Sequence, residues 1–186
     1  MVSNLSIGNV TLLDSGGSAF QGARGIDEFG STRSLFRDVS VGDVTAIGPN
    51  TNAWGVFWGG SGGTATRIAV GGVTAADAGS FAYGVEVSGD GNRIEDVVID
   101  DVSGPNEAST SVIRIFGGNA NEINLVRVPT NSVAGNGVFF DLGPALDNVG
   151  ANNSATLLGF GVASCVDSGG SYTGSAIQFN AVNFCP

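Results

Sequence analysis

A chain of 186 residues that sets 17 acids against 7 basic residues, all of them Arg, is long enough for one domain with a buried core and too acidic to seek nucleic acid or an anionic membrane. It contains no His, which removes Ser-His-Asp and Cys-His chemistry within the chain and the commonest metal ligand. A hydrophobic fraction of 42% against 13% charged excludes a disordered composition, and no apolar run approaches the roughly 18 residues of a membrane-spanning helix.

In chain order, the first segment, "MVSNLSIGNV", lacks a charged stretch followed by an apolar one, so no signal peptide is expected. A short motif then begins, apolar-x-x-apolar-x-apolar, as Ile7, Val10 and Leu12. It returns as Phe36, Val39, Val41; as Ala65, Ile68, Val70; as Ile94, Val97, Ile99; and as Ile123, Val126, Val128. The step is 29 residues, and Val44, Val73 and Val102 form a further column. The next step reaches Ala155 and Leu157 in "SATLLG", which mirrors "NVTLLD" at 9–14. The final x-apolar alternation is that of a strand, and the x-x step is a corner. A second short strand follows in each copy: "GVFW" (55–58), "GVEV" (84–87), "VIRI" (112–115), "GVFF" (137–140) and "AIQF" (176–179). Gly- and Ser-rich stretches between them are turns, and no segment shows sustained helical spacing.

A fixed period of this size marks a stacked repeat architecture. "SIGNVTL" (6–12) and "RIEDVVI" (93–99) resemble the coil signature of right-handed parallel β-helices, a superfold that includes pectate lyases, other polysaccharide-active enzymes and bacteriophage tailspikes. The resemblance implies an all-β fold: one right-handed parallel β-helix domain over 1–186, with about six coils between residues 4 and 180 and a C-terminal strand cap over 160–186. The fold hosts lyases, hydrolases, adhesins and inert scaffolds, so function rests on the side chains.

The register assigns the acids. Asn9, Asp38, Arg67 and Asp96 fall in one corner column and read as a structural ladder of alternating charge. Arg93 and Glu122 lie one repeat apart, and Glu86 and Arg114 nearly so, which makes cross-coil ion pairs. Asp43 and Asp101 share another column with Asp14, Gly72 and Thr130. They would sit two coils, about 9–10 Å, apart. That approaches the carboxyl separation of inverting glycosidases, about 6.5–9.5 Å. The same two Asp also read as turn residues. Among the aromatics, Trp54, Trp58 and Tyr83 are expected to face inward. Phe57 and Phe139 are expected to face outward in a column with Glu86, Arg114 and Gln178, a candidate surface for a glycan or a partner. Cys165 and Cys185 read either as a disulfide, which fits an oxidising setting, or as two buried thiols. No metal and no cofactor are expected.

These readings converge on a non-enzymatic structural or adhesive module on a virion exterior: a spike, fibre or capsid decoration. Its partners would be other virion proteins, met through the N-terminal coil, and further copies of the chain, with a trimer favoured by analogy with tailspikes. The alternatives are a polysaccharide lyase or hydrolase of the β-helix type, and a secreted adhesin or filament subunit at the cell surface.

Overall fold

The structure is a computed structural model. It describes residues 1–13, 21–105, 110–116 and 118–128, of which 125, 127 and 128 by backbone alone, and the strand backbone over 136–140, 154–159, 165–167, 176–179 and 182–185. In chain order the strands are β1 (Val2–Ile7), β2 (Val10–Leu13), β3 (Gly22–Glu28), β4 (Leu35–Val41), β5 (Val44–Ile47), β6 (Asn52–Trp58), β7 (Thr64–Ala75) and β8 (Ala82–Val87). They continue as β9 (Arg93–Ser103), β10 (Thr110–Ile115), β11 (Glu122–Val128), β12 (Asn136–Phe140), β13 (Ser154–Gly159), β14 (Cys165–Asp167), β15 (Ala176–Phe179) and β16 (Val182–Cys185). The fold is an all-β, parallel-stranded β-solenoid of about three turns with a spacing near 29 residues and no helix among the described residues.

Two sheets build it. One runs β1-β4-β7-β9-β11-β13-β15-β16, with β2 and β5 pairing beside it. The other runs β14-β12-β10-β8-β6-β3. All neighbours are parallel except β15 and β16, which are antiparallel.

The corner inside each motif has a local cause. Asp38, Arg67 and Asp96 adopt φ of 55°, 55° and 52°, and Asn4 adopts 53°. One residue in the left-handed region breaks the period-2 alternation, so residues three apart point the same way. Ala65 and Ile68 are thus both buried, as are Ile94 and Val97. Asn and Asp tolerate this region through local hydrogen bonding, and Arg67 is the exception in the column.

The interior is a set of apolar columns. Val39, Ile68, Val97 and Val126 stack directly and are at most 2% exposed. Val44, Val73 and Val102 form the next column. Branched side chains suit the half-pleated, doubly flanked geometry, and each fully buried one contributes about 1.5–3 kcal/mol.

The register departs from a strict 29 at both ends. Leu5 lies beneath Val39 and Val10 beneath Val44, a step of 34, so Val10 does not join the Val39 column. The surplus is in the connections: residues 14–21 join β2 to β3, whereas 48–51 join β5 to β6. Later, Leu157 pairs with Val126 and Ala155 with Ile123, so Ala155 is not in the Val126 column. Residues 176–179 pair with β13 in the larger sheet, which removes Gln178 from the column of Phe57 and Glu86. The corrected register also aligns Thr11, Thr45, Thr74 and Ser103 in one row, a series of cross-strand hydroxyl neighbours.

Candidate functional site

The smaller sheet carries the most elaborate side chains, and their placement follows from a glycine. In β6, Ala53 and Val56 both belong to the core, and a Cβ added at Gly55 would meet Gly84 O at 2.7 Å and Val73 Cγ2 at 3.1 Å. Gly55 therefore also faces inward, and two consecutive inward positions flip the alternation. Trp58 accordingly lies inside at 0% exposure, as expected from the sequence. Trp54 and Tyr83 do not: with Phe57 they form a separate cluster outside the core.

Two columns define this outer face. Arg24, Trp54, Tyr83 and Ser111 succeed one another across β3, β6, β8 and β10, and so do Asp27, Phe57, Glu86 and Arg114. The backbone register continues the second column to Phe139, whose side chain lies outside the described residues. Glu86 is 3% exposed and its Oε2 accepts from Trp54 Nε1 and from Arg114 Nη1, each at 2.7 Å. Neutralising a buried carboxylate with a guanidinium and an indole N–H together is what makes its burial tolerable. The Arg114 guanidinium lies 4.6 Å from the ring centres of Tyr83 and Phe116, and Arg24 lies 4.8 Å and 4.5 Å from those of Trp54 and Phe57. Arg24 also donates to Asp27 at 2.9 Å. Burial pushes the Tyr83 phenol well above its ordinary pKa; the Arg114 charge opposes that rise and Glu86 adds to it.

The rings form a strip. Phe81, Tyr83, Trp54, Phe57 and Phe29 follow one another at centroid distances of 5.9, 6.2, 6.1 and 6.3 Å. Its middle is buried, while Phe29 is 78% and Phe81 38% exposed. Phe57 itself is only 8% exposed, because Arg24 and its neighbouring rings cover it.

The candidate catalytic acids sit at a corner of the larger sheet. Asp43 Oδ1 accepts from Gly72 N at 2.9 Å, and Asp43 N in turn donates to Asn9 Oδ1 at 3.0 Å. Asp101 lies across from Gly72 in the next coil. Asp14 and Thr130, assigned to the same column, fall outside the described residues. Asn9 therefore belongs with Asp43 rather than Asp38, and Asn4 takes the first place in the left-handed corner. In that corner Arg67 donates to both carboxylate oxygens of Asp38, with Nη2 to Oδ2 at 2.8 Å. The Arg67 hydrogen bond holds Asp38 below the usual carboxylate range, and Asp38 first, then Asp96, raises Arg67. Arg93 bonds Glu95 more closely than Glu122, at 2.6 Å against 3.8 Å.

Three further polar ladders escaped sequence reading. Asn92 Oδ1 accepts from Gly63 N at 2.9 Å and Trp58 Nε1 at 3.0 Å, its Nδ2 donates to Gly60 O, and its own N–H donates to Asn121 Oδ1. Asp90 Oδ1 accepts from Asn119 N, and Asp90 N donates to Ser61 Oγ. Glu28, 4% exposed, accepts from Ser34 Oγ and from Gly60 N. Asn92 and Asn121, like Ser61, Asp90 and Asn119, hold the 29-residue step, a polar periodicity present in the sequence beside the apolar one. Glu28 has no periodic signal. Cys165 and Cys185 lie in β14 and β16, one in each sheet, and their side chains fall outside the described residues.

Stacked parallel strands with side-chain ladders at their corners define the class of protein: a β-solenoid. No protein-family model, curated protein or solved structure matches this chain. Among the described residues no group of three or more His, Cys, Asp or Glu is placed to hold a metal ion, and no helix is long and apolar enough to cross a membrane.

Proposed function

We propose that the chain is a non-enzymatic structural or adhesive module: a right-handed solenoid of six coils with a C-terminal strand cap, carried on a virion exterior as a spike, fibre or decoration. The observation that carries this reading is the use of the carboxylates. Asp43, one of the two catalytic candidates, accepts the Gly72 N–H, and Glu28, Glu86, Asp38 and Asp90 likewise satisfy backbone groups or guanidinium partners. Each of these contacts gives its carboxylate a structural role in a turn or ladder that needs no substrate. The virion setting rests on the likeness of the coil motif to tailspikes. Adhesion is assigned to the outer face of the smaller sheet. There Phe29 and Phe81 offer exposed rings to a sugar, Phe57, Glu86 and Arg114 belong to the largely buried part of the same face, and Phe139, next in their column by backbone register, is assigned to it as well.

The test is incubation with acidic and neutral polysaccharides, assayed for new reducing or unsaturated ends. No cleavage is expected from the wild type. Cleavage that disappears in Asp43→Asn or Asp101→Asn with folding intact would make the polysaccharide lyase or hydrolase reading primary. Binding without cleavage, lost in Phe29→Ala or Phe81→Ala, supports adhesion.

A further inference from the structure

The strongest unexplained surface is one end of the stack. The outer edges of β1, β2 and β3 close no further ladder among the described strands: β1 pairs only with β4, β2 only with β5 and β3 only with β6. The core columns open there. Leu5 is 40% exposed, whereas Val39, Ile68 and Val97 above it are at most 2% exposed. Ile7, Val10 and Leu12 are half-buried, whereas the next residues of their columns, Val41, Val44 and Ala46, are buried. The edge lacks two of the usual protections: residues 1–13 include no charged side chain and no Pro, in a chain of net charge −10.

We propose that this end is an interface between two copies of the chain, related by a two-fold axis that pairs β1 antiparallel with the β1 of its partner. Three features select that occupant. An edge strand presents alternating peptide donors and acceptors, which only another strand satisfies in series. The residues beneath it are apolar, so the occupant must cover them with apolar side chains. The strands β1 and β2 carry no charged side chain, and in β3 Arg24 pairs with Asp27 while Glu28 is buried, so a partner of opposite charge gains little here, and two chains of charge −10 repel least when they meet away from their exposed acids. A second copy of the same end meets all three requirements, and two-fold pairing closes the assembly at two. The fold already ends the same sheet at its other edge with an antiparallel strand, β16 on β15. The inference stands apart from the adhesive reading, since it uses neither Phe29 nor Phe81.

The experiment is sedimentation equilibrium of the full chain across a wide concentration range, at low and physiological salt. A monomer–dimer equilibrium is expected, tighter at the higher salt because screening weakens repulsion between like-charged copies. Leu5→Lys brings two like charges to the interface and should weaken the dimer by roughly a hundredfold or more. Leu5→Val should retain it. Hydrogen exchange on the wild type gives a readout independent of any variant: amides of residues 2–7 should become more protected as concentration rises. A monomer at all concentrations, a trimer, a ladder of head-to-tail sizes, or a dimer indifferent to Leu5→Lys with unchanged β1 exchange would overturn the proposal.

Discussion

The two faces of β6 and β8 bury their side chains by different means. Inside, Val56 and Val85 stack on their own kind at 0% exposure, and nothing but volume is specified. Outside, Trp54, Tyr83 and Glu86 are nearly as buried, yet each depends on a named partner in another coil. An apolar column is satisfied by any residue of about the right shape. A polar cluster at the same burial fails when one member is missing, because the others keep their desolvated charges and N–H groups. The inner face therefore specifies the fold, and the outer face specifies a particular surface on it.

Four perturbations test this contrast. The largest effect is expected from Val97→Asp, which places a charge with no partner in the central column and should abolish the cooperative unfolding transition followed by circular dichroism. A folded Val97→Asp protein would mean the inner columns are not a continuous core. Next, Glu86→Ala removes the shared acceptor of Trp54 and Arg114. It should cost about 3–5 kcal/mol in denaturant unfolding, the usual loss when a buried charge is left without its partner. Glu86→Gln retains an acceptor for one of the two and should cost less. A loss from Glu86→Ala no larger than that of a surface substitution would erase the distinction between the faces.

Smaller effects belong to the corners. Asp43→Ala should cost about 1 kcal/mol by removing the acceptor of the Gly72 N–H, while Asp43→Asn, which keeps a side-chain oxygen there, should be nearly neutral. Equal losses from both would show that charge rather than hydrogen bonding matters at this corner. The Asp38–Arg67 pair is exposed and should give the weakest signal. Because the pair lowers the Asp38 pKa in the folded state, its contribution is in place above the ordinary carboxylate value of about 3.9 and is lost as pH falls through the lowered one. Comparing wild type with Asp38→Asn across that acid range isolates it, and added salt should shrink the difference.

Much of the larger sheet was legible in the sequence. From Val39 to Val126 the 29-residue step places every inward residue correctly, because a parallel ladder advances strand for strand and the core admits one pleat phase. The Glu86–Arg114 pair was legible for the same reason. The first rung was misread because extra residues between β2 and β3 shift the strands without changing their pattern, so Ile7, Val10 and Leu12 fit two registers equally well by hydrophobicity. Strand β3, "GARGIDE", offered too little apolar alternation to be seen at all.

The repeat, the all-β class and the identity of the central columns are readable without coordinates, because each coil must present the same apolar face to the same neighbours. Tertiary structure alone decided which way Trp54 and Tyr83 point, since that depends on Gly55 and Gly84 turning two consecutive positions inward. It also decided that Asp43 holds a backbone N–H and that Glu28 reaches Gly60. Composition and spacing record which residues recur. The left-handed corner residues leave their mark in the apolar-x-x-apolar spacing, but hydrogen-bond partners are set by the distance between coils and by the exact length of each connection, neither of which leaves a hydrophobic period to read.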